Sequence, residues 1–295
     1  MFTLPSFAKI NLMLRVLGKR ADGFHEIFTV FQTVSLCDDI TFSESGEIGL
    51  TCSNRGLPTD EKNLIVRAAL MLRERSGLSS GAAMHLKKRI PSPGGLGGGS
   101  SNAAVALIGL KRLWDLDLTH ADLIEIAAEL GSDVPFFLLG GTAFGTGTGT
   151  CVEPVADADG QFLLIVTPAA NVATKEAYAR LNVQNLTTEE AKRILFVCRS
   201  EAESLDLRHS ALKNDIEPAV FAAHPEVERV KKTLIELGAV NALMSGSGGS
   251  VFAVFEKEET RQTALKALDD EVNWRKFAVA AVSRDEYREK VYGEL

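Results

Sequence analysis

The sequence predicts an α+β fold of two domains, on three observations. Residues 4–42 carry short apolar segments rich in Val, Ile and Phe, as half-buried strands do. A glycine-rich run at 93–102 follows a strand-like stretch at 82–86 and feeds straight into the Ala- and Leu-rich helical stretch 103–114. Beyond the small polar break Ala156-Asp157-Ala158-Asp159-Gly160, helical and strand-like segments alternate. That break sets a domain boundary, with expected units at 1–155 and 156–295.

Each element has its own signal. Between 4 and 42, the turn-rich Gly18-Lys19-Arg20-Ala21-Asp22-Gly23 joins strands. Residues 63–75 crowd apolar side chains at helical spacing and end at Gly77, in the position where a left-handed residue stops a helix. Thr119 and Asp122 have capping-box spacing ahead of a helix at 123–130, and Gly131 supplies its stop. Residues 140–150 are glycine-rich and β-prone, and 162–166 reads as an apolar strand. Helices are expected near 175–181, 188–197 and 225–237, and strands near 251–255 and 277–282. No internal repeat or heptad run points to a scaffold or a fibre.

Composition narrows the function classes. With 295 residues, 45% of them hydrophobic and 24% charged, a sizeable buried core is expected. A formal charge of −7 gives no general attraction for nucleic acid or an anionic membrane, so local features must hold any anionic ligand. Cys37, Cys52, Cys151 and Cys198 are far apart, with no CxxC pair and no zinc-finger histidine spacing; reduced, buried thiols are expected. Met1-Phe2-Thr3-Leu4-Pro5 is no basic leader, and no apolar run approaches about 18 residues, so the expected location is the cytoplasm.

Glycine loses more backbone entropy on folding than any other residue, so the density at 94–99 asks for a compensating role. Glycines let the main chain approach a ligand closely. Several N–H groups then point at phosphate oxygens while the following helix adds its positive end. Pro93-Gly94-Gly95-Leu96-Gly97-Gly98-Gly99-Ser100-Ser101-Asn102 is therefore read as a phosphate cradle; a flexible linker would need neither the strand before it nor the helix after it. Ser100 and Ser101 either cap the helix or donate to phosphate or to magnesium-bound water. The run has no P-loop Lys-Ser or Lys-Thr and no GxGxxG, and the chain lacks the HRD and DFG elements of protein kinases.

This run resembles the ATP loop of the GHMP kinases, whose pattern is Gly-Leu-Gly, small residues, then Ser-Ser. Ser6-Phe7-Ala8-Lys9-Ile10-Asn11-Leu12 and Met244-Ser245-Gly246-Ser247-Gly248-Gly249 resemble that family's first and third motifs. Lys19-Arg20-Ala21-Asp22-Gly23-Phe24-His25, Gly131-Ser132-Asp133-Val134-Pro135 and Asn214-Asp215-Ile216-Glu217-Pro218 resemble its branch acting on a cytidine-diphosphate-linked methylerythritol in non-mevalonate isoprenoid precursor synthesis. The resemblance implies a GHMP-kinase-like α+β fold with the active cleft between domains. It also implies ATP as phosphoryl donor, magnesium arriving with ATP, and a hydroxyl acceptor on a cytidine-diphosphate-linked small molecule. The rivals are another small-molecule acceptor, opposed by the base platform at 22–25, and a non-catalytic nucleotide-binding regulator, opposed by retention of Lys9 and Asp133.

Residue roles follow from the same resemblance. It implies that Asp133 is the general base, where its own context favours a turn or capping aspartate, and that Lys9 sits beside it and keeps the carboxylate ionised. Asn11 shares the strand face of Lys9 and is expected either to hold the acceptor hydroxyl or to be a structural amide. Phe24 offers a ring for stacking and His25 an imidazole suited to the edge of cytosine, with Tyr178 on the opposite face of the base or in the core. Lys87-Lys88-Arg89 lends positive potential to the phosphates or is merely solvated. Two positions depart from the family: Phe24 where Tyr is usual, and Thr150 near where many relatives carry Glu. No carboxylate cluster at metal spacing assigns magnesium ligands.

Overall fold

The computed structural model describes residues 1–158, 160, 162–181 and 188–293. Asp159, within the polar break expected at 156–160, lies outside them.

β1 (Phe2–Lys19) and β2 (His25–Ser45) form one long antiparallel hairpin. The several short strands expected here are two continuous ones, because register shifts at Phe7/Ala8, Asn11/Met13 and Val16/Gly18 absorb the breaks in alternation. β3 (Ile48–Cys52) is followed by α1 (Leu64–Ser76). Asn63 opens α1 by accepting from the Ile65 N–H, and Gly77 closes it at φ 62°. β4 (Gly81–Lys87) leads into the glycine run and α2 (Gly98–Leu113). α2 begins at Gly98 and not at Ala103. The poor helix propensity of glycine is overridden by the burial of Gly98, Ser101 and Asn102.

α3 (His120–Leu130) carries the reciprocal Thr119–Asp122 capping box. Gly131 ends it with extended backbone, φ 166°, not with the left-handed turn. The short α4 (Phe136–Leu139) precedes the hairpin of β5 (Thr142–Gly147) and β6 (Cys151–Pro154). Strands β3, β4, β2 and β1 lie in that order, with β5 pairing β2 beyond the end of β4.

The remaining elements are β7 (Leu163–Thr167), α5 (Thr174–Ala179), α6 (Thr188–Glu203), β8 (Lys213–Asn214), α7 (Glu217–Ala223), α8 (Pro225–Glu236), β9 (Asn241–Met244), β10 (Val251–Val254), α9 (Glu258–Ala267), β11 (Arg275–Val279) and α10 (Arg284–Tyr292). A second sheet has the order β11-β7-β10-β9. Alternate residues of β7 serve two different cores, which is why its sequence is apolar throughout. Leu164 and Val166 pack with α8 and α9, whereas Leu163 and Ile165 meet Ile10, Leu12, Phe28 and Val30 of the first sheet.

The chain also crosses the expected 155/156 boundary twice more. β8 pairs with β1 at Met13 and Leu14, and α10 inserts Tyr287 and Val291 into the first core. All four cysteines are unpaired, but the expectation of buried thiols holds only for Cys198. Cys37 and Cys52 are half-buried, and Cys151 is exposed at the start of β6, a strand paired on one side only. No helix among the described residues is long and apolar enough to cross a membrane.

Candidate active site

Lys9 stands in β1 with its ammonium 3.3 Å from an Asp133 carboxylate oxygen; the lysine side chain is 4% exposed and the aspartate 30%. A buried ammonium needs acceptors. Asn11 Oδ1, 2.6 Å away, supplies a second one, and the Phe31 ring lies 5.4 Å from Nζ. Asn11 is held in turn: its Nδ2 donates to Thr29 Oγ1 at 2.7 Å, and that hydroxyl donates to the Met13 carbonyl. One lone pair and one N–H of the Asn11 amide are thus already used, which leaves one of each for a ligand. Asp133 sits in the turn between α3 and α4, pinned by a Val134 N–H to Gly131 carbonyl bond and by buried Val134, Phe136 and Phe137.

The glycine run docks directly on this pair. The Lys9 N–H donates to the Leu96 carbonyl at 3.0 Å. A Cβ on Gly97, whose φ is 68°, would come within 2.9 Å of Lys9 Cγ and 2.7 Å of the Phe137 ring, so only glycine allows the approach. The four carbonyls from Gly94 to Gly97 are taken by Ser250 N, Ser245 Oγ, Lys9 N and Ser101 N, whereas no N–H of these four residues donates within the described chain. Gly97 is the N-cap of α2 and offers no side-chain cap. The first-turn N–H groups therefore have no intrahelical acceptor, and together with the loop N–H groups they can hold an anion.

Not all of the run faces outward. The Ser101 hydroxyl lies 2.8 Å from that of Ser6, and Asn102 Nδ2 donates to Ser6 Oγ and to Asp38 Oδ2. Both side chains are buried fasteners, and neither caps the helix; Ser100 is half-exposed in its first turn. Lys88 is likewise interior, 2.7 Å from buried Asp38. Burial pushes its pKa down, opposed by the Asp38 charge. Arg89 pairs with Asp39 at 2.6 Å. Sequence reasoning passed over Asp38; the signal was an acidic residue inside the apolar strand segment 36–40.

The turn after β9 underlies the loop. A Cβ on Gly95 would lie 2.1 Å from the Ser245 carbonyl, and one on Gly248 would lie 2.2 Å from the Gly95 nitrogen. Asn214 Nδ2 donates to the Met244 and Gly246 carbonyls at 2.8 Å each, and Glu217 accepts from the Met244 N–H, so the 214–218 segment anchors this turn.

At the far end of the β1–β2 hairpin, Asp22 accepts from the Phe24 N–H, and Arg20 binds both Asp22 and Glu26, leaving Phe24 65% exposed. The His25 and Tyr178 rings meet at 5.2 Å between centroids, tilted by 32°. That spacing is one ring-to-ring contact and has no room for a base between the two. Burial, then nearby Lys19, lowers the His25 pKa. Burial, then the charge of Asp133, raises the Tyr178 pKa. Thr150 lies in the turn joining β5 to β6. Among the described residues no group of three or more His, Cys, Asp or Glu is placed to hold a metal ion.

Residues 63–141 match the GHMP kinases N terminal domain, and residues 199–273 match the GHMP kinases C terminal domain. A 4-diphosphocytidyl-2-C-methyl-D-erythritol kinase of Syntrophus aciditrophicus is 38% identical over 283 residues, 96% of this chain and 100% of that one. Another, from Pelodictyon phaeoclathratiforme, is 40% identical over 271 residues, 90% of this chain and 93% of its own. A crystal structure of 4-(cytidine 5'-diphospho)-2C-methyl-D-erythritol kinase matches with TM-score 0.76 and 32% identity, covering 95% of this chain and 99% of that one. A homoserine kinase from Cytophaga hutchinsonii shares the fold, with TM-score 0.70 and 22% identity over 96% of each chain.

Proposed function

The chain belongs to the GHMP kinase family, and we propose that it transfers the γ-phosphoryl group of ATP to a hydroxyl of 4-diphosphocytidyl-2-C-methyl-D-erythritol, a cytoplasmic step of non-mevalonate isoprenoid precursor synthesis. The observation that carries this reading is the Lys9–Asp133 pair, 3.3 Å apart, against the uncapped start of α2.

Phosphoryl transfer needs the acceptor oxygen in line, its proton removed and charge on the transferred group offset. Asp133 takes the hydroxyl proton as that oxygen bonds to the γ-phosphorus and the bond to the β,γ-bridging oxygen breaks, releasing ADP. The Lys9 ammonium, 3.3 Å from the Asp133 carboxylate, orients it and offsets charge at the reacting oxygens. The N–H groups of the loop and of the first turn of α2 hold the nucleotide phosphates. The remaining N–H of Asn11 orients the acceptor, and the exposed Phe24 ring and the outer faces of the His25–Tyr178 pair receive the cytosine. Magnesium, arriving with ATP and keeping most of its waters, neutralises charge on the β- and γ-phosphates when bound.

The test is phosphorylation of the cytidylated methylerythritol under saturating Mg-ATP by the native chain and by Asp133→Asn. Native turnover, with a loss of at least about a hundredfold in kcat in a variant that still binds both ligands, is the expected result. ATP binding without native turnover would reject this acceptor.

A further inference from the structure

We infer that Asp38 is a positioning residue for ATP, a carboxylate clamp that holds both ends of the glycine loop in register. This rests on the reading of 93–102 as the nucleotide loop.

Asp38, on β2, is wholly buried, and four donors from two separate segments converge on it. Oδ1 accepts from the backbone N–H groups of Arg89 at 2.6 Å and Ile90 at 2.8 Å, where the chain leaves β4 for the loop. Oδ2 accepts from Lys88 Nζ at 2.7 Å and from Asn102 Nδ2 at 2.9 Å, in the second turn of α2. Lys88 also donates to the Ile90 carbonyl at 2.7 Å, closing a ring around the strand exit. Asn102 passes the connection on to Ser6 Oγ at 2.8 Å, on the same strand as Lys9.

The loop between these anchors is otherwise held through its carbonyls, so its N–H groups keep their aim only if both ends stay put. A carboxylate is the side chain that accepts from four donors at once. An amide must present N–H groups to half of them. Buried ion pairs are weak evidence of stability for its own sake, whereas a clamp that sets loop geometry gives this one a use. The groups proposed to meet the acceptor, Asn11, His25 and Tyr178, bond to none of these residues, so the effect should fall on the nucleotide alone.

The experiment compares native protein, Asp38→Asn and Asn102→Ala. It measures the Kd of Mg-ADP by calorimetry, the KM for ATP and for the cytidylated acceptor, and folding by circular dichroism at the assay temperature. Misplaced loop N–H groups should weaken Mg-ADP at least about tenfold in Asp38→Asn and severalfold in Asn102→Ala, with KM for ATP rising in parallel and KM for the acceptor within about twofold of native. Unchanged Kd in folded variants of lower Tm would make Asp38 mere core support and overturn the proposal. So would an equal rise in both KM values. Should Asp38→Asn fail to fold, Asn102→Ala decides. If native protein binds Mg-ADP but leaves the acceptor untouched, the acceptor assignment fails while the Kd comparison still judges Asp38.

Discussion

Lys9 buries its ammonium where β1 pairs with β2 on one side and meets the glycine loop on the other, and its neighbours explain how. Asn11 accepts from its ammonium and the Asp133 carboxylate balances its charge from 3.3 Å, which leaves N–H capacity for a ligand. Lys9→Met keeps the packing and removes the charge. Steady-state assays should show kcat reduced by about a hundredfold or more, the size of loss found when one donor to a developing oxyanion is deleted. His25 makes a pH prediction. Its folded pKa lies below its unfolded value of about 6.5. Neutral His25 thus favours the folded, binding-competent state above that pH, and the contribution is lost as pH falls through the lowered folded pKa. The KM for the cytidylated acceptor should therefore be flat near neutrality and rise on acidification, and His25→Gln should abolish that rise.

Among the elements, α3 and α2 illustrate opposite kinds of helix start. The capping box of α3 is exposed and remote from the cleft, so Thr119→Ala should cost about 1 kcal/mol in denaturant unfolding and leave kcat unchanged. The start of α2 has no side-chain cap, and the loop before it leaves no room for a Cβ at Gly95 or Gly97. Gly95 has φ 76° and a carbonyl where a Cβ would go. Gly95→Ala should both lower Tm and weaken Mg-ADP, measured by thermal melting and calorimetry. Local sequence read the capped helices well: Asn63, Gly77, Thr119 and Asp122 act within one turn of where they stand. It missed β3, α4, β6, β8, α7, β9, α9 and α10, several of them short or charge-rich segments that gain their place from distant partners.

At the scale of the whole molecule, the two sheets share a middle core, and the chain end returns to the first domain. Tyr287 of α10 is fully buried, meets the Phe7 ring at a tilt and donates its hydroxyl to the Phe137 carbonyl behind the Asp133 turn. Tyr287→Ala should cost about 3–5 kcal/mol, read as a lower denaturant midpoint. Because α10 supports that turn, activity should fall before the protein unfolds completely.

Local pattern along the chain was enough to read the α+β class, the turn between β1 and β2, the capped helices, the glycine run that opens α2 and the motifs that mark the family. These are legible because periodicity, caps and glycine conformations act over a few residues. Tertiary structure alone decided that Ser101 and Asn102 turn inward, that Lys88 is sequestered by Asp38, and that His25 closes on Tyr178. It also brought Lys9 to Asp133 across more than a hundred residues of chain, a pairing the family resemblance implied but no local pattern encodes. Contacts between distant segments depend on which faces the cores bury, and a pattern read along one segment carries no record of what packs across from it.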